Sequence, residues 1–198
     1  MPKLALFDFD GTITTEDSLI QFIRFAKGNI SYILGMLLLS PMLVLYKLKL
    51  IPNYKAKQLM LSYYFKGMNA QKFKEVAEVY SLEHIDIILR PKAMKKITWH
   101  QEQGHKIVIV SASMQCWLKP WCLKHDIDLI STELEILDNK LTGTFSTKNC
   151  YGVEKENRVK QIYTLNKYEY IYAYGDSSGD KELLALANES FYKPFRDK

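Results

Sequence analysis

The sequence predicts an α/β fold: a parallel sheet covered on both faces by helices, with a helical insertion after the first strand. Three observations carry this. From Pro91 onward, short apolar runs alternate with helical patterns, as in βαβ units. The first apolar run, residues 3–8, is separated from the second by about 80 mostly helical residues, too many for one crossover. Polar residues stand at the ends of the apolar runs, where the carboxyl edge of a parallel sheet binds ligands.

Taken in order, "LALFD" reads as a short, fully buried strand. Residues 18–27 form a helical pattern with Gly28 as its stop. Residues 29–46 carry no charge, and helical segments follow at 53–66 and 70–89. Pro91 marks a boundary and opens a helix that ends at Gly104. "HKIVIVSAS" is a second buried strand closing on Ser111, and residues 114–125 are helical. "DIDLISTELEI" is a third strand, and "LEILDNKLTGTF" has the alternation and Asp-Asn turn of a hairpin. A helix at 154–166, a strand and loop at 168–180, a helix at 180–188 and a short strand at 190–195 complete the chain. The expected division is a core of residues 1–15 and 89–198 with a cap of residues 16–88.

The strand ends hold the chemistry. Asp8 and Asp10 follow the first strand, Ser111 the second, and Asp176 and Asp180 the strand "YIYAY"; Lys155 opens a helix between the last two. Two carboxylates this close repel unless a cation or a shared proton intervenes. Oxygen ligands of this kind suit Mg²⁺, which keeps several waters and takes one or two carboxylates plus a substrate phosphate. A carboxylate also serves as a nucleophile toward phosphorus. Ser111 and Lys155 are suited to holding phosphoryl oxygens as charge develops.

"DFDGTIT", "VIVSAS", "YGVEKENRVKQI" and "YGDSSGD", in that order, resemble the four motifs of the haloacid-dehalogenase superfamily, and within it the phosphoserine-phosphatase-like subfamily IB. The resemblance implies a Rossmann-like core with an all-helical cap of the C1 type, and a Mg²⁺-dependent phosphomonoesterase. It implies Asp8 as nucleophile, Asp10 as general acid and base, and Ser111 and Lys155 on the phosphate, with Lys160 a competing lysine. Mg²⁺ falls to the Asp8 carboxylate, the Asp10 carbonyl and Asp176, with Asp180 and Thr12 in support. The chain departs from phosphoserine phosphatase in three places. Asp17 replaces a glutamate expected to meet the substrate amino group. Ser111-Ala112-Ser113 replaces Ser-Gly-Gly. Only Arg24 and Arg90 offer themselves as the substrate-carboxylate arginine.

Composition narrows the partners. Three cysteines, an odd count without a C-x-x-C pair, point to a reduced cytoplasmic setting. No signal peptide, zinc spacing or nucleic-acid signature is visible, and the four histidines are scattered. A net charge of +5, with basic residues dispersed, favours anionic partners mildly. The expected partner is a small phosphorylated substrate. The uncharged run 29–46 leaves two readings open: a buried cap helix, or a helix at a bilayer interface, with residues 29–57 in peripheral membrane contact. A span would part the first strand from its own sheet. Two alternatives to a general phosphomonoesterase stand beside it. One is a phosphatidylglycerophosphate-type lipid phosphatase at the membrane surface, and the other a catalytically silent phosphate-binding regulator.

Overall fold

In the computed structural model, which describes residues 2–196, strand β1 (Lys3–Phe7) lies at the centre of a five-stranded parallel sheet. On one side it pairs with β2 (Lys106–Met114), which pairs with β3 (Asp128–Thr132). On the other it pairs with β6 (Tyr170–Gly175), flanked by β7 (Glu189–Tyr192). Phe7 stands opposite both Ile109 and Tyr174, so the chain leaves β1, β2 and β6 at the same edge.

Side chains alternate across this sheet, as the two-residue period of a strand requires. Leu4 and Leu6 pack with Val108, Val110 and Ala173 beneath α7 (Val153–Ile162) and α8 (Lys181–Ala185). Ala5 and Phe7 pack on the other face beneath α5 (Pro91–Glu102) and α6 (Gln115–Lys124). Leu4 to Phe7 are fully enclosed, which explains why this strand reads as a continuous apolar run.

The insertion holds α1 (Ser18–Leu38), α2 (Ser40–Lys47), α3 (Asn53–Phe65) and α4 (Ala70–Glu83). Gly28 breaks α1 where a stop was expected: its backbone is non-helical, with φ 77° and ψ 161°, and a second helical stretch starts at once beyond the kink. The helix expected over 70–89 stops at Glu83, and Ile85–Ile88 tightens into a 3₁₀ turn. Phe22 of α1 joins Phe65, Tyr80 and Trp117, stacking on Trp117 at 4.6 Å; Phe9 meets Trp121 at 5.4 Å. Helices of the insertion and α6 under the sheet therefore share one aromatic core. The two connections to the insertion are also tied together. Thr15 N–H donates to the Ile88 carbonyl at 2.8 Å, and Arg90 Nε to the Thr14 carbonyl at 3.0 Å.

The hairpin of β4 (Leu134–Leu137) and β5 (Lys140–Phe145) turns at Asp138 and Asn139, both with positive φ, as a two-residue I′ turn demands. It does not extend the main sheet, and the third strand breaks at Glu133, whose N–H is taken by Thr147 Oγ1. The hairpin lies on α3 instead. Leu141 exchanges main-chain hydrogen bonds with Gly67 and Met68, and Ser62 Oγ donates to the Gly143 carbonyl. The helical layer thus carries a two-stranded rim contributed by a distant segment.

Under the sheet, His100 is fully enclosed between His105 (Nδ1···Nδ1 2.7 Å) and the Tyr174 hydroxyl (2.9 Å). Burial, with His105 and Lys96 adding repulsion, pushes it down to about 3. The unfolded chain therefore binds a proton that the folded one refuses between about pH 6.5 and 3, so stability falls as pH falls through that window. The expected loss is up to about 1.4 kcal/mol per pH unit. Denaturant unfolding across this range checks it, and His100→Gln should flatten the slope.

Candidate active site

The site grows from how β1 ends. Phe9 and Ile13 are wholly buried, and Ile13 N–H donates to the Phe9 carbonyl at 2.8 Å, so the chain coils at once into a tight loop. Anchoring these two leaves Asp8 and Asp10 at the edge. Thr12 Oγ1 donates to Asp8 Oδ2 at 2.9 Å. Lys155, in the first turn of α7, reaches back to Asp8 Oδ1 at 2.6 Å and Asp180 Oδ1 at 2.7 Å, and all three residues are buried. The other oxygen of Asp180 accepts from the N–H groups of Asp176 and Ser177 and from the Ser177 hydroxyl. Asp180 therefore fixes both the lysine and the loop that carries Asp176. Lys160, the competing lysine, pairs with Glu156 on the exposed side of α7 and takes no part.

Asp10 occupies a separate environment. Its Oδ1 accepts from Ser18 N–H at 2.7 Å, and its Oδ2 from the Ser113 hydroxyl. Ser18 Oγ donates in turn to Ser113 Oγ and accepts from Trp117 Nε1 at 3.2 Å. Lys57 of α3 brings an ammonium to this corner, 3.2 Å from the Ala112 carbonyl, and it draws the Asp10 carboxyl down against burial. Ser18, Lys57 and Ser113 were not among the sequence-derived candidates. Ser113 had a legible signal, because it stands where the resembling family has glycine. Nothing local to the sequence ties Lys57 to the end of β2.

Ser111 is buried at the same edge, and its Oγ accepts Ser113 N–H at 3.0 Å. Asp17 serves the fold: its Oδ1 caps α1 by accepting from Leu19 and Ile20 N–H. Arg24 lies over the Tyr32 ring and Arg90 binds Thr14, so neither contacts these carboxylates. Arg196 instead reaches Asp176 Oδ2 at 2.5 Å.

Burial above all, joined by the nearby Asp180 and Asp10, pushes Asp8 up to about 7 even though Lys155 opposes the shift. Burial also raises Asp10, with Asp17 adding to it. Burial would raise Asp180 too, but Lys155 and the Ser177 donors outweigh it and hold the carboxyl below its usual range. Carboxyl oxygens of Asp8, Asp176 and Asp180 lie within 4.8 Å of one another. Thr12 serves Asp8 Oδ2 and Arg196 serves Asp176 Oδ2, so a hard cation held by these two carboxylates would share or displace those donors. Gly11 makes room for this. A Cβ there would sit 2.6 Å from Asp176 Oδ2, and its φ of +82° is costly for other residues. An all-oxygen donor set short of positive charge fits Mg²⁺.

The chain is similar to several known proteins. A family model of haloacid dehalogenase-like hydrolases matches residues 5–185. Protein CicA of Caulobacter vibrioides is 32% identical over 199 residues, spanning all of this chain and 88% of that protein. Among solved structures, a Bordetella pertussis Tohama I protein of unknown function superposes with a TM-score of 0.81 at 22% identity, covering 96% of this chain and 89% of that one. A substrate-bound phosphoserine phosphatase superposes with a TM-score of 0.69 at 16% identity, covering 97% and 86%. At such identities these two establish the fold: a phosphoserine-phosphatase-like sheet with its helical cap.

The buried ion triad gives a direct test. Lys155→Met leaves Asp8 and Asp180 facing each other without a cation. In EDTA at neutral pH it should cost about 3–5 kcal/mol, measured by denaturant unfolding. Adding Asp8→Asn to that variant should recover part of the loss.

Proposed function

The chain belongs to the haloacid dehalogenase-like hydrolases, and on that premise we propose that it hydrolyses a phosphomonoester through an aspartyl-phosphate on Asp8. A carboxylate oxygen of Asp8 attacks phosphorus as the bond to the leaving oxygen breaks, and Asp10 gives that oxygen its proton. Water then attacks the aspartyl-phosphate, Asp10 takes the water's proton, and the Asp8 carboxylate is released with inorganic phosphate. The observation that supports this most is the separation of the two carboxylates. Asp8 is clamped by a buried ammonium, whereas Asp10 takes its hydrogen bonds from neutral donors, the Ser18 N–H and the Ser113 hydroxyl. Neighbouring carboxylates in unlike environments can divide nucleophile from acid.

Mg²⁺, bound by Asp8, Asp176 and the Asp10 carbonyl, would neutralise charge on the phosphoryl oxygens. Lys155 holds Asp8 in place and offers positive charge to the same oxygens. Ser111, enclosed beside Ser113, lends its hydroxyl at the rim. Ser113 and Ser18 fix the acid's orientation from behind. The intact set of Asp8, Asp10, Lys155 and Asp176 speaks against a silent phosphate-binding regulator. A held acid speaks against a dehalogenase, since departing halide needs no proton. Asp17 gives little support to phosphoserine as substrate, because one of its oxygens already caps α1.

The reading is tested by assaying phosphoserine, sugar phosphates, nucleotides and phosphatidylglycerophosphate with and without Mg²⁺. EDTA should abolish turnover and Mg²⁺ restore it. Asp8→Asn should fold and show no turnover; hydrolysis at the wild-type rate by this variant would falsify the mechanism. For Asp10→Asn, single-turnover formation of the intermediate should slow by about 10²–10⁴ with alkyl phosphates and far less with aryl phosphates. Equal losses on both would remove Asp10 as the acid.

A further inference from the structure

The second half of α1 contradicts the ordinary rule that a helix apolar on all sides is buried. Its inner stripe does meet the protein: Gly35 is buried against Tyr64, whose hydroxyl donates to the Tyr32 carbonyl at 2.8 Å. Its outer stripe is equally apolar and open. Ile30 is 77% exposed, and Leu34, Leu37 and Leu38 are each 60% or more. These follow the helical spacing of a single face. The surface continues past α2 through Leu48 and Leu50, 62% and 68% exposed. The reading of 29–46 as a wholly buried cap helix therefore does not hold.

Charge says what covers this face. No acidic residue occurs between Asp17 and Glu75, while nine basic residues do. That stretch carries +9, so the remainder of the +5 chain carries −4. The dispersal of basic residues along the whole sequence conceals this asymmetry. Lys47, Lys49 and Lys55 are exposed and border the apolar face, with no carboxylate among them. Exposed leucines followed by uncompensated lysines match the two layers of an anionic membrane surface, acyl chain and headgroup. Among the described residues no single helix is long and apolar enough to cross a membrane. Only α1 and α2 together meet both length and composition, and they bend by 63°. With the inner stripe packed on the protein, one face remains to lie flat.

We propose that the outer face of α1 and α2 is a docking surface for an anionic lipid bilayer. It is independent of the hydrolytic reading and needs no turnover to be tested. Docking also orients the molecule. Tyr46 of α2 accepts from Asn53, and Asn53 and Tyr54 line a cleft of about 550 Å³ whose other wall includes Thr147, Asn149 and Tyr151. The cleft thus shares Asn53 with the end of the docked surface.

The test is co-sedimentation of the full chain with vesicles of phosphatidylglycerol and phosphatidylcholine, against vesicles of phosphatidylcholine alone. Wild type should bind the anionic vesicles and be released by high salt. Lys47→Gln with Lys49→Gln should lower partitioning about 30-fold, at about 1 kcal/mol per lysine, and weaken the salt dependence. Leu37→Gln with Leu38→Gln should lower it at least tenfold while keeping the melting temperature and leaving hydrolysis of a soluble aryl phosphate unchanged. Should the leucine pair impair folding, the lysine pair and the salt titration decide alone. Absence of wild-type binding to anionic vesicles overturns the proposal. Equal binding to both vesicle types does too. So does a dimer in vesicle-free solution that the leucine pair disperses, since a second copy would then cover the face.

Discussion

One buried ammonium organises the edge of the sheet that carries the candidate site. Lys155 sits between Asp8 and Asp180, and none of the three is open to water. Carboxylates in such a place are tolerated only with a partner cation and satisfied oxygens. The oxygens are satisfied from within: Thr12 serves Asp8, and the Asp176–Ser177 turn serves Asp180. The lysine comes from a helix, the aspartates from the ends of two neighbouring strands. Folding of the sheet and assembly of the site are therefore the same event.

Much of this was legible because parallel topology converts sequence order into spatial proximity. Asp8, Ser111, Lys155, Asp176 and Asp180 each stand just past an apolar run or at a helix start, so the strand pattern alone gathers them to one edge. What escaped depends on contacts with no local signature. Lys57 reaches the end of β2 from a half-buried turn of α3. Asp17 looked like a ligand for substrate because its position matches a family site, yet its geometry is that of a helix cap. The hairpin turn was readable from Asp138-Asn139, whereas its seat on α3 follows from Gly143 and Leu141 meeting partners some 80 residues away.

The uncharged run shows a different limit. Hydrophobicity records that a segment avoids water and says nothing about which apolar phase receives it. Residues 29–46 satisfy the protein interior on one side of α1 and leave the other side without a partner. Only side-chain positions around the helix separate these two fates. The lysines that qualify the second lie beyond the run itself, after α2 begins to end.

The aromatic cluster shared between the insertion and the sheet layer has a consequence for descent. Phe22, Phe65 and Tyr80 pack on one another and continue through Phe22 onto Trp117, and Trp121 is bonded through its N–H groups to Ser81 and Asp86. Such an insertion cannot be inherited as a cassette. A graft from a distant relative would arrive with the wrong half of an interdigitated interior and strand α6 without its neighbours. An exchange that moved the insertion together with α6 and the β4–β5 rim would keep the shared interior whole.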